Sequence, residues 1–169
     1  MELKFLEQRN GKNILQVDDA RIIFRNFEGR GDKFNREGER NFALLINDEE
    51  IADALMDDKN ELGASWNVKI KPPKEEGDSP FMYLPVKVKF NGRGPIIWLV
   101  SGRKRTRLEE EDVDILDQID IRSVSMDIRP YDDEVNGKAF RAAYLQTMEV
   151  VQEIDRFSAR WAEEEHPEE

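Results

Sequence analysis

Short segments in which apolar and polar residues alternate dominate the chain, and this period of two is typical of half-buried β-strands. The pattern predicts strands over residues 14–27, 41–46, 66–71, 82–90, 95–100, 121–131 and 139–151. Asn91-Gly92 and Asn136-Gly137 separate consecutive predicted strands and are typical of tight hairpin turns. Both turns are therefore expected to join antiparallel neighbours.

Helical signals are fewer than strand signals. Asn47 with Glu50, and Thr106 with Glu109, have the spacing of a capping box, which predicts a short helix at each place. A further apolar stripe at helical spacing predicts a C-terminal helix through Val150, Ile154, Phe157 and Trp161. These elements predict a mainly β fold, an antiparallel Greek-key barrel of the OB type with two or three short helices. A β-sandwich is the alternative.

Lysines share one face of two predicted strands. Lys69 and Lys71 alternate with apolar residues in one strand, and Tyr83, Lys87 and Lys89 do so in the other. If these strands pair, four lysines and a tyrosine lie on the same side of the sheet. A phosphate backbone would relieve the repulsion between the lysines, and the tyrosine could stack on a base. An ordinary solvated sheet face is the alternative.

A long loop rich in Gly and Arg is predicted over residues 25–40 (RNFEGRGDKFNREGER). Arginine forks suit phosphates and aromatic rings suit bases. The loop interleaves both kinds of side chain: Arg25, Phe27, Arg30, Lys33, Phe34, Arg36 and Arg40. Four acidic residues in the same loop dilute its charge, so a flexible surface loop is the alternative.

The densest group of cations follows the fifth predicted strand and comprises Arg103, Lys104, Arg105 and Arg107. Phosphate contact is the functional interpretation, and a localisation signal or a solvated loop is the alternative. Arg93 is a further phosphate candidate and Tyr131 a further stacking candidate. Trp66 and Trp98 share strand faces with aliphatic residues and are expected in the core.

Composition excludes several kinds of site. The 169 residues include no Cys and one His, so disulfides, thiolate metal sites and a Ser-His-Asp triad are excluded or nearly so. No catalytic residue, metal or cofactor is predicted. The longest apolar run, residues 96–100, is far shorter than the roughly 20 residues of a membrane helix. A soluble, cytoplasmic protein is expected.

The acidic residues are concentrated in the last third of the chain. The net charge is −11, yet residues 1–107 hold 20 Lys and Arg against 18 Asp and Glu, whereas residues 108–169 hold 6 against 19. The last nine residues include five Glu. This asymmetry predicts an acidic tail (within residues 152–169, with the C-terminal helix) on a domain (residues 1–151) that has a basic surface of its own.

Four segments resemble a family of bacteriophage single-stranded DNA-binding proteins: NFEGRGDKFNREGERNFALLIND, WNVKIKPP, YLPVKVKFNGRGP and IRPYDDEVNGKAFRAAYLQTM. The resemblance spans residues 17–151 and is most specific at residues 35–42. It implies an OB-type barrel, sequence-tolerant binding of single strands and a role in phage replication or recombination. It also implies that the acidic tail contacts replication or recombination proteins, although this tail lacks the terminal aromatic residue common in such tails.

The sequence therefore predicts a non-enzymatic protein that binds single-stranded DNA in the host cytoplasm, with a homo-oligomer left open. The alternatives are a phage structural or assembly module, in which the lysine face would meet an acidic protein, and a metal-dependent nuclease.

Overall fold

The computed structural model describes residues 1–7, 13–92 and 94–154, and strands are the main element of this part. The predicted mainly β class is confirmed. One α-helix, α1, spans Glu49–Asp57, and a 3-10 helix spans Val113–Asp117. The strands of the described part are β1 Glu2–Glu7, β2 Asn13–Ala20, β3 Ile22–Asn26, β4 Arg40–Ile46, β5 Lys69–Lys71, β6 Phe81–Val88, β7 Ile96–Ser101, β8 Lys104–Leu108, β9 Ile121–Val135 and β10 Lys138–Gln152.

The strands form one mixed sheet in the order β1-β2-β9-β10-β6-β4-β3, with β5 beside β6 and β8 beside β7. Most neighbours are antiparallel, but β10 pairs in parallel with β6 and then with β7. The expectation of an all-antiparallel sheet is therefore wrong. Within the described residues the hydrogen-bonded path ends at β1 and β3 and is not closed into a barrel.

The two predicted hairpins have different outcomes. Asn136 and Gly137 have φ angles of 53° and 78°, as a tight hairpin turn requires, and they join the paired strands β9 and β10. Asn91 does begin a turn, since its carbonyl accepts a hydrogen bond from the Gly94 N–H at 3.0 Å. However, β6 and β7 are not neighbours, because β7 pairs with β10 and β8 instead.

The segment predicted as a basic loop followed by a helix at Thr106 is instead a hairpin. β7 and β8 pair around Gly102, whose φ is 61°, and Thr106 lies opposite Leu99 within the ladder. The expected inward residues Val113 and Leu116 are fully buried, but they belong to the 3-10 helix. Only Leu108 of KRTRL is buried, and the segment is a strand because it pairs with β7 from Ile97 to Ser101.

The other helix predictions are also modified. Helix α1 is capped by Asp48 rather than Asn47, because the Asp48 carboxylate accepts a hydrogen bond from the Glu50 N–H at 2.9 Å. Val150 of the predicted C-terminal stripe is buried in β10. Phe157, Trp161 and the acidic tail lie outside the described residues. The division into residues 1–151 and 152–169 stays a prediction.

The core lies under the inner face of the sheet and is formed by alternate residues of nearly every strand. Its fully buried members include Leu15, Val17, Leu44, Leu84, Ile97, Val124, Ile128 and Met148. Trp66 is buried as predicted, although it precedes β5 and makes a single bridge to Arg141. Trp98 is only half-buried and points away from the core, so its core assignment is wrong.

A buried arginine joins the segment after α1 to the β9–β10 hairpin. The Arg141 guanidinium donates to both carboxylate oxygens of Asp132, at 2.7 and 3.1 Å, and to Asp58 at 3.2 Å. It also lies 5.2 Å from the ring of Trp66, whose indole N–H donates to Asp58 at 2.8 Å. Burial raises the pKa of Asp132, but the hydrogen bond and charge of Arg141 outweigh it and lower that pKa below its usual value.

Removal of the Arg141 guanidinium is expected to lower stability in a pH-dependent way. Because the pKa of Asp132 is lowered on folding, its ion pair stabilises the protein fully above the unfolded pKa of about 3.9 and less as pH falls through the folded pKa. Arg141→Met should therefore reduce the free energy of unfolding by about 2–4 kcal/mol near neutral pH. Urea denaturation should show a smaller difference in acid. An equal loss for Arg122→Met, which breaks an exposed pair, would contradict this role.

Two phenylalanines of the same loop are expected to differ sharply in their effect on stability. Phe27 is fully buried and stacks on Phe42 with ring centroids 5.4 Å apart, whereas Phe34 is 91 % exposed. Phe27→Ala should lower the free energy of unfolding by about 3–5 kcal/mol, because it leaves a cavity. Phe34→Ala should change it by less than about 0.5 kcal/mol. Urea unfolding of both variants measures the difference, and equal midpoints would show that Phe27 has no packing role.

Candidate nucleic-acid interface

The outer face of the sheet is defined by alternation along β6. Met82, Leu84 and Val86 point into the core, so Phe81, Tyr83, Pro85 and Lys87 point outward. β5 pairs with β6 and places Lys69 opposite Tyr83 and Lys71 opposite Phe81. The structure thus brings Lys69, Lys71, Tyr83 and Lys87 to one face, as the sequence predicts. Lys89 lies just beyond the end of β6.

Three aromatic rings gather at one end of this face and are called here the β6 aromatic cluster. The Phe24 ring lies 6.1 Å from Phe81 and 5.3 Å from Tyr83, and Phe81 lies 5.5 Å from Tyr83. Phe24 is 57 % exposed and has a φ of 52°, which is rare for a bulky side chain. It lies at an irregularity of β3, between the paired residues Ile23 and Asn26. This backbone turns an edge residue outward onto the cluster.

A second group of rings, the β10 aromatic cluster, lies beside Lys87. Tyr144 pairs with Lys87 across the strands, and its ring lies 5.3 Å from Tyr131, which in turn lies 6.4 Å from Phe140. The Arg129 guanidinium and the Lys89 ammonium lie 4.9 and 5.5 Å from the Tyr144 ring. Rings flanked by cations match what a base and its phosphate require.

The hydroxyl of Tyr131 is held by a neighbouring carboxylate. It donates to Asp133 at 3.1 Å, and this hydrogen bond raises the pKa of the Tyr131 phenol above its usual value near 10. The phenol is therefore uncharged at neutral pH. The Tyr131 ring itself is 41 % exposed, so its face is open to contact from solvent.

The loop between β3 and β4 is ordered by its own polar side chains. The carbonyl oxygen of the Asn26 side chain accepts from the N–H groups of Gly29 and Arg30, and the Asn35 amide donates to three loop carbonyls. The Asp117 carboxylate accepts from the Phe27 and Glu28 N–H groups at 2.8 and 2.9 Å. These bonds hold the exposed candidates Arg30, Lys33, Phe34 and Arg36 on a shaped surface rather than on a flexible loop.

A close backbone approach closes the base of this loop. The Gly38 N–H donates to the Gly29 carbonyl at 2.7 Å, and a Cβ on Gly29 would meet the Gly38 backbone at 3.0 Å. Gly29 also has a φ of 77°. Only glycine suits both requirements at this position.

A groove of about 460 Å³ separates the loop from the end of β6. Its walls combine aromatic rings, amides and cations with two carboxylates: Phe34, Asn35, Asn41, Lys87, Lys89, Phe90, Glu39 and Glu110. The groove continues the outer face, because Asn41 of β4 pairs with Lys87. Its size and lining suit a nucleotide.

Three loop candidates are engaged in the fold. Phe27 is in the core and cannot stack on a base in this structure, so its assignment is corrected. Arg25 donates to the carbonyls of Leu116 and Ile119, both at 2.7 Å. Arg40 donates to the Phe27 carbonyl at 2.9 Å and to Glu110 at 3.1 Å. Arg25 and Arg40 therefore stabilise the loop, a role that loop composition alone does not distinguish from phosphate binding.

The cations of the β7–β8 hairpin differ in their ion pairs from the lysines on the outer face of β5 and β6. Arg105 lies 3.5 Å from Glu149 and 3.9 Å from the centre of the Trp98 ring, and Arg107 lies 3.7 Å from Glu109. By contrast, within the described part of the chain Lys69, Lys71 and Lys87 form no ion pair. Arg103 and Lys104 are exposed at the turn, and Arg93 lies outside the described residues.

The sequence pattern does not identify several residues of this candidate interface: Phe24, Phe81, Arg129, Phe140 and Tyr144. Phe81 lies two residues before Tyr83 and therefore faces the same side of the sheet. It would be predicted as an interface residue if the predicted strand began at residue 81 rather than 82. Tyr144 and Arg129 would follow from pairing the two strands of the predicted β9–β10 hairpin. Phe24 depends on an unusual backbone angle, for which the sequence carries no signal.

The described residues show neither a candidate metal site nor a helix suited to a membrane. Among residues 1–7, 13–92 and 94–154, no three His, Cys, Asp or Glu side chains are grouped so that they could hold a metal ion. None of the helices described here has the length and apolar character needed to cross a membrane.

Comparisons with known proteins identify the family. The chain is similar in structure to the single-stranded DNA-binding protein from bacteriophage Enc34, both as a C-terminal truncation and in complex with ssDNA, with 16 % identity and a TM-score of 0.50 in each case. These matches cover 91 % of this chain and 97 % of the former, and 90 % and 93 % for the latter. No curated protein sequence matches the chain. The family model of the phage ssDNA-binding domain matches residues 6–168, and the chain therefore belongs to this family of phage single-stranded DNA-binding domains.

Proposed function

We propose that this chain binds single-stranded DNA across the outer face of its sheet, from the β6 aromatic cluster past Lys87 to the β10 aromatic cluster. The observation that carries the proposal is the presence of two exposed aromatic groups with cations between them on one face. Tyr83 and Lys87 are four residues apart on β6, which corresponds to about 13 Å. Bases would stack on the rings while the intervening phosphates meet the lysines.

The chemistry of this face favours single strands with little sequence preference. A stacked duplex hides the faces of its bases, whereas a single strand can present them to exposed rings. Stacking accepts any base, and the lysine ammonium is a point charge that fits any phosphate. The similarity to a protein solved in complex with ssDNA supports the same ligand.

The proposed contacts combine predicted residues with those that the structure adds. We assign phosphate contact to Lys69, Lys71, Lys87, Lys89 and Arg129, with Arg30, Lys33 and Arg36 of the loop and Arg93, Arg103, Lys104, Arg105 and Arg107 as further candidates. We assign base stacking to Phe24, Phe34, Phe81, Tyr83, Tyr131, Phe140 and Tyr144.

We further propose that the protein binds DNA without altering it and serves phage replication or recombination in the host cytoplasm. A metal-dependent nuclease would cleave labelled single-stranded DNA in the presence of Mg²⁺ or Mn²⁺, and we expect intact DNA. A structural or assembly module, the alternative function, would bind no oligonucleotide at all.

Neutralisation of the central lysines is expected to weaken binding without unfolding the protein. Lys87→Ala with Lys89→Ala removes two exposed charges beside Tyr144 and leaves no cavity. For about five phosphate contacts, log affinity should fall against log salt with a slope near −3 to −4, and the double variant should reduce that slope by about 1.4. Fluorescence anisotropy with a labelled oligonucleotide at several salt concentrations measures both. A slope unchanged from that of the original protein would contradict the assignment.

Loss of an interface ring should reduce affinity at every salt concentration. Tyr83→Ala and Tyr144→Ala should each cost about 1–3 kcal/mol of binding free energy, because each removes a stacking surface. Phe5→Ala is the matched control. Phe5 is 47 % exposed on β1, but it pairs with the inward residue Leu15 and therefore lies on the side of the sheet away from the proposed interface. Fluorescence anisotropy with the labelled oligonucleotide at several salt concentrations measures the affinity of all three variants. Equal losses in all three would point to a general effect of exposed rings rather than to this surface.

The acidic tail is expected to compete with DNA for the basic face. Residues 161–169 contain five Glu and no Lys or Arg, and their tether gives them a high effective concentration near the sheet. Truncation after Trp161 should raise affinity for single strands, more so at low salt, where screening is weak. An affinity unchanged at every salt concentration would refute this competition. We propose that replication or recombination proteins bind the same tail, which would release the DNA-binding face.

A further inference from the structure

We propose that the DNA-binding surface continues onto β7 and β8, where Trp98 and Arg105 form a third stacking position beyond the two aromatic clusters. This inference rests on the proposed function, because it extends the same path. It assigns base stacking to Trp98, although the alternation of Trp98 with aliphatic residues in the sequence predicts a core position. It also assigns Arg105 the role of covering that ring until a base takes its place, when the guanidinium binds a phosphate instead.

The parallel pairing of three strands aligns the three positions. β6 lies beside β10 at the Lys87–Tyr144 pair and ends one residue later, at Val88. β7 takes the vacated place beside β10 from Thr147 onward, running in the same direction. Outward residues of β6 and β7 therefore follow one another along a single edge of β10, with Trp98 opposite Glu149.

A β-bulge keeps this row on one face. Tyr144 points outward because its neighbours Ala143 and Leu145 are buried, and Glu149 points outward because Met148 and Val150 are buried. An even and an odd position share a face only because the β9–β10 register shifts between Leu145 and Thr147. Trp98 is thus outward like Tyr144 and lies about 13 Å further along the sheet, since Tyr144 and Glu149, the β10 partner of Trp98, pair with Arg129 and Ser125, which are four residues apart on β9.

The contacts of Trp98 are those of a covered base-stacking ring. Ile97 and Leu99 are buried on the core side, which leaves the indole on the outer face, where it is partly exposed. The Arg105 guanidinium lies 3.9 Å from the ring centre, and Arg107 pairs with Trp98 across the β7–β8 ladder. Tryptophan is the aromatic side chain that attracts a cation most strongly, and the same π-face can accept a base.

Glu149 supplies the counter-charge that holds Arg105 over the ring. Its carboxylate lies 3.5 Å from the guanidinium, and both side chains are about half exposed. A phosphate offers the same forked recognition as a carboxylate. DNA would therefore displace Glu149 from Arg105, and the freed guanidinium would bind the phosphate while a base occupies the indole.

Tryptophan fluorescence tests whether DNA reaches this position. Oligothymidylates of about 4 to 16 nucleotides are titrated into the full chain and into its Trp98→Phe variant. We expect quenching in the original protein to grow with length, because short strands occupy the two aromatic clusters first. Trp98→Phe should lose most of the length-dependent quenching. Trp66 is buried and remains in both proteins, as does Trp161.

Affinity measurements separate this position from the rest of the surface. Trp98→Ala should weaken binding of the longest oligonucleotide about 5- to 150-fold, leave the shortest unaffected, and be largely rescued by Trp98→Phe. Glu149→Gln should strengthen binding of the longest by up to about fivefold, because the competing exposed ion pair is removed. Tyr83→Ala, by contrast, should weaken binding at every length.

Each outcome is decisive. If Trp98→Phe retains the full quenching, or if Trp98→Ala binds all lengths like the original protein while Tyr83→Ala is weakened, the extension is wrong and the proposed function stands. If the original protein binds no oligonucleotide, the proposed function itself fails. Circular dichroism of Trp98→Ala guards against a folding defect, and the quenching experiment does not depend on that variant.

Discussion

The pairing of β10 with three strands is the constraint on which the rest of the structure depends. One edge of β10 bonds to β9 along nearly its whole length, and the other edge receives β6 and then β7. The inner residues of these strands build the core, so the outer residues have fixed directions. The interface is therefore a consequence of core packing, since the burial of Leu84 and Leu145 turns Tyr83 and Tyr144 outward.

Charge is distributed over this face in two different ways. The lysines of β5 and β6 have no acidic partner in the described chain, so an incoming phosphate meets charge that is already available. The arginines of β8 are held by Glu149 and Glu109, so a phosphate must displace a carboxylate there. Exposed pairs of this kind cost little to break. In the proposed binding mode, a phosphate at the lysines therefore displaces no carboxylate, whereas one at Arg105 or Arg107 does.

The sequence predicts the parts of this molecule that depend on local pattern. Alternation locates most strands and the lysine face, and Asn136-Gly137 locates the long hairpin. Alternation does not locate parallel partners, because β10 lies far from β6 and β7 in the chain and period two carries no direction. Nor can alternation separate Phe27 from Phe34, since Phe27 is buried through contacts with Phe42 and Asp117, which lie in other parts of the chain. The hydrogen bonds of Arg25 to Leu116 and Ile119, and of Arg40 to Glu110, could not be predicted either, because these partners lie about 70 to 94 residues away in the chain.

The bulge near Leu145 has a consequence for how related chains should be compared. It acts as a change of phase: before it the even-numbered residues of β10 face outward, and after it the odd-numbered ones do. A one-residue insertion or deletion on either side of this point would exchange core and surface for the remainder of the strand, whereas a compensating pair would leave both intact. An alignment of family members through this strand should therefore match inward positions with inward positions and outward with outward, even where this requires a gap at the bulge.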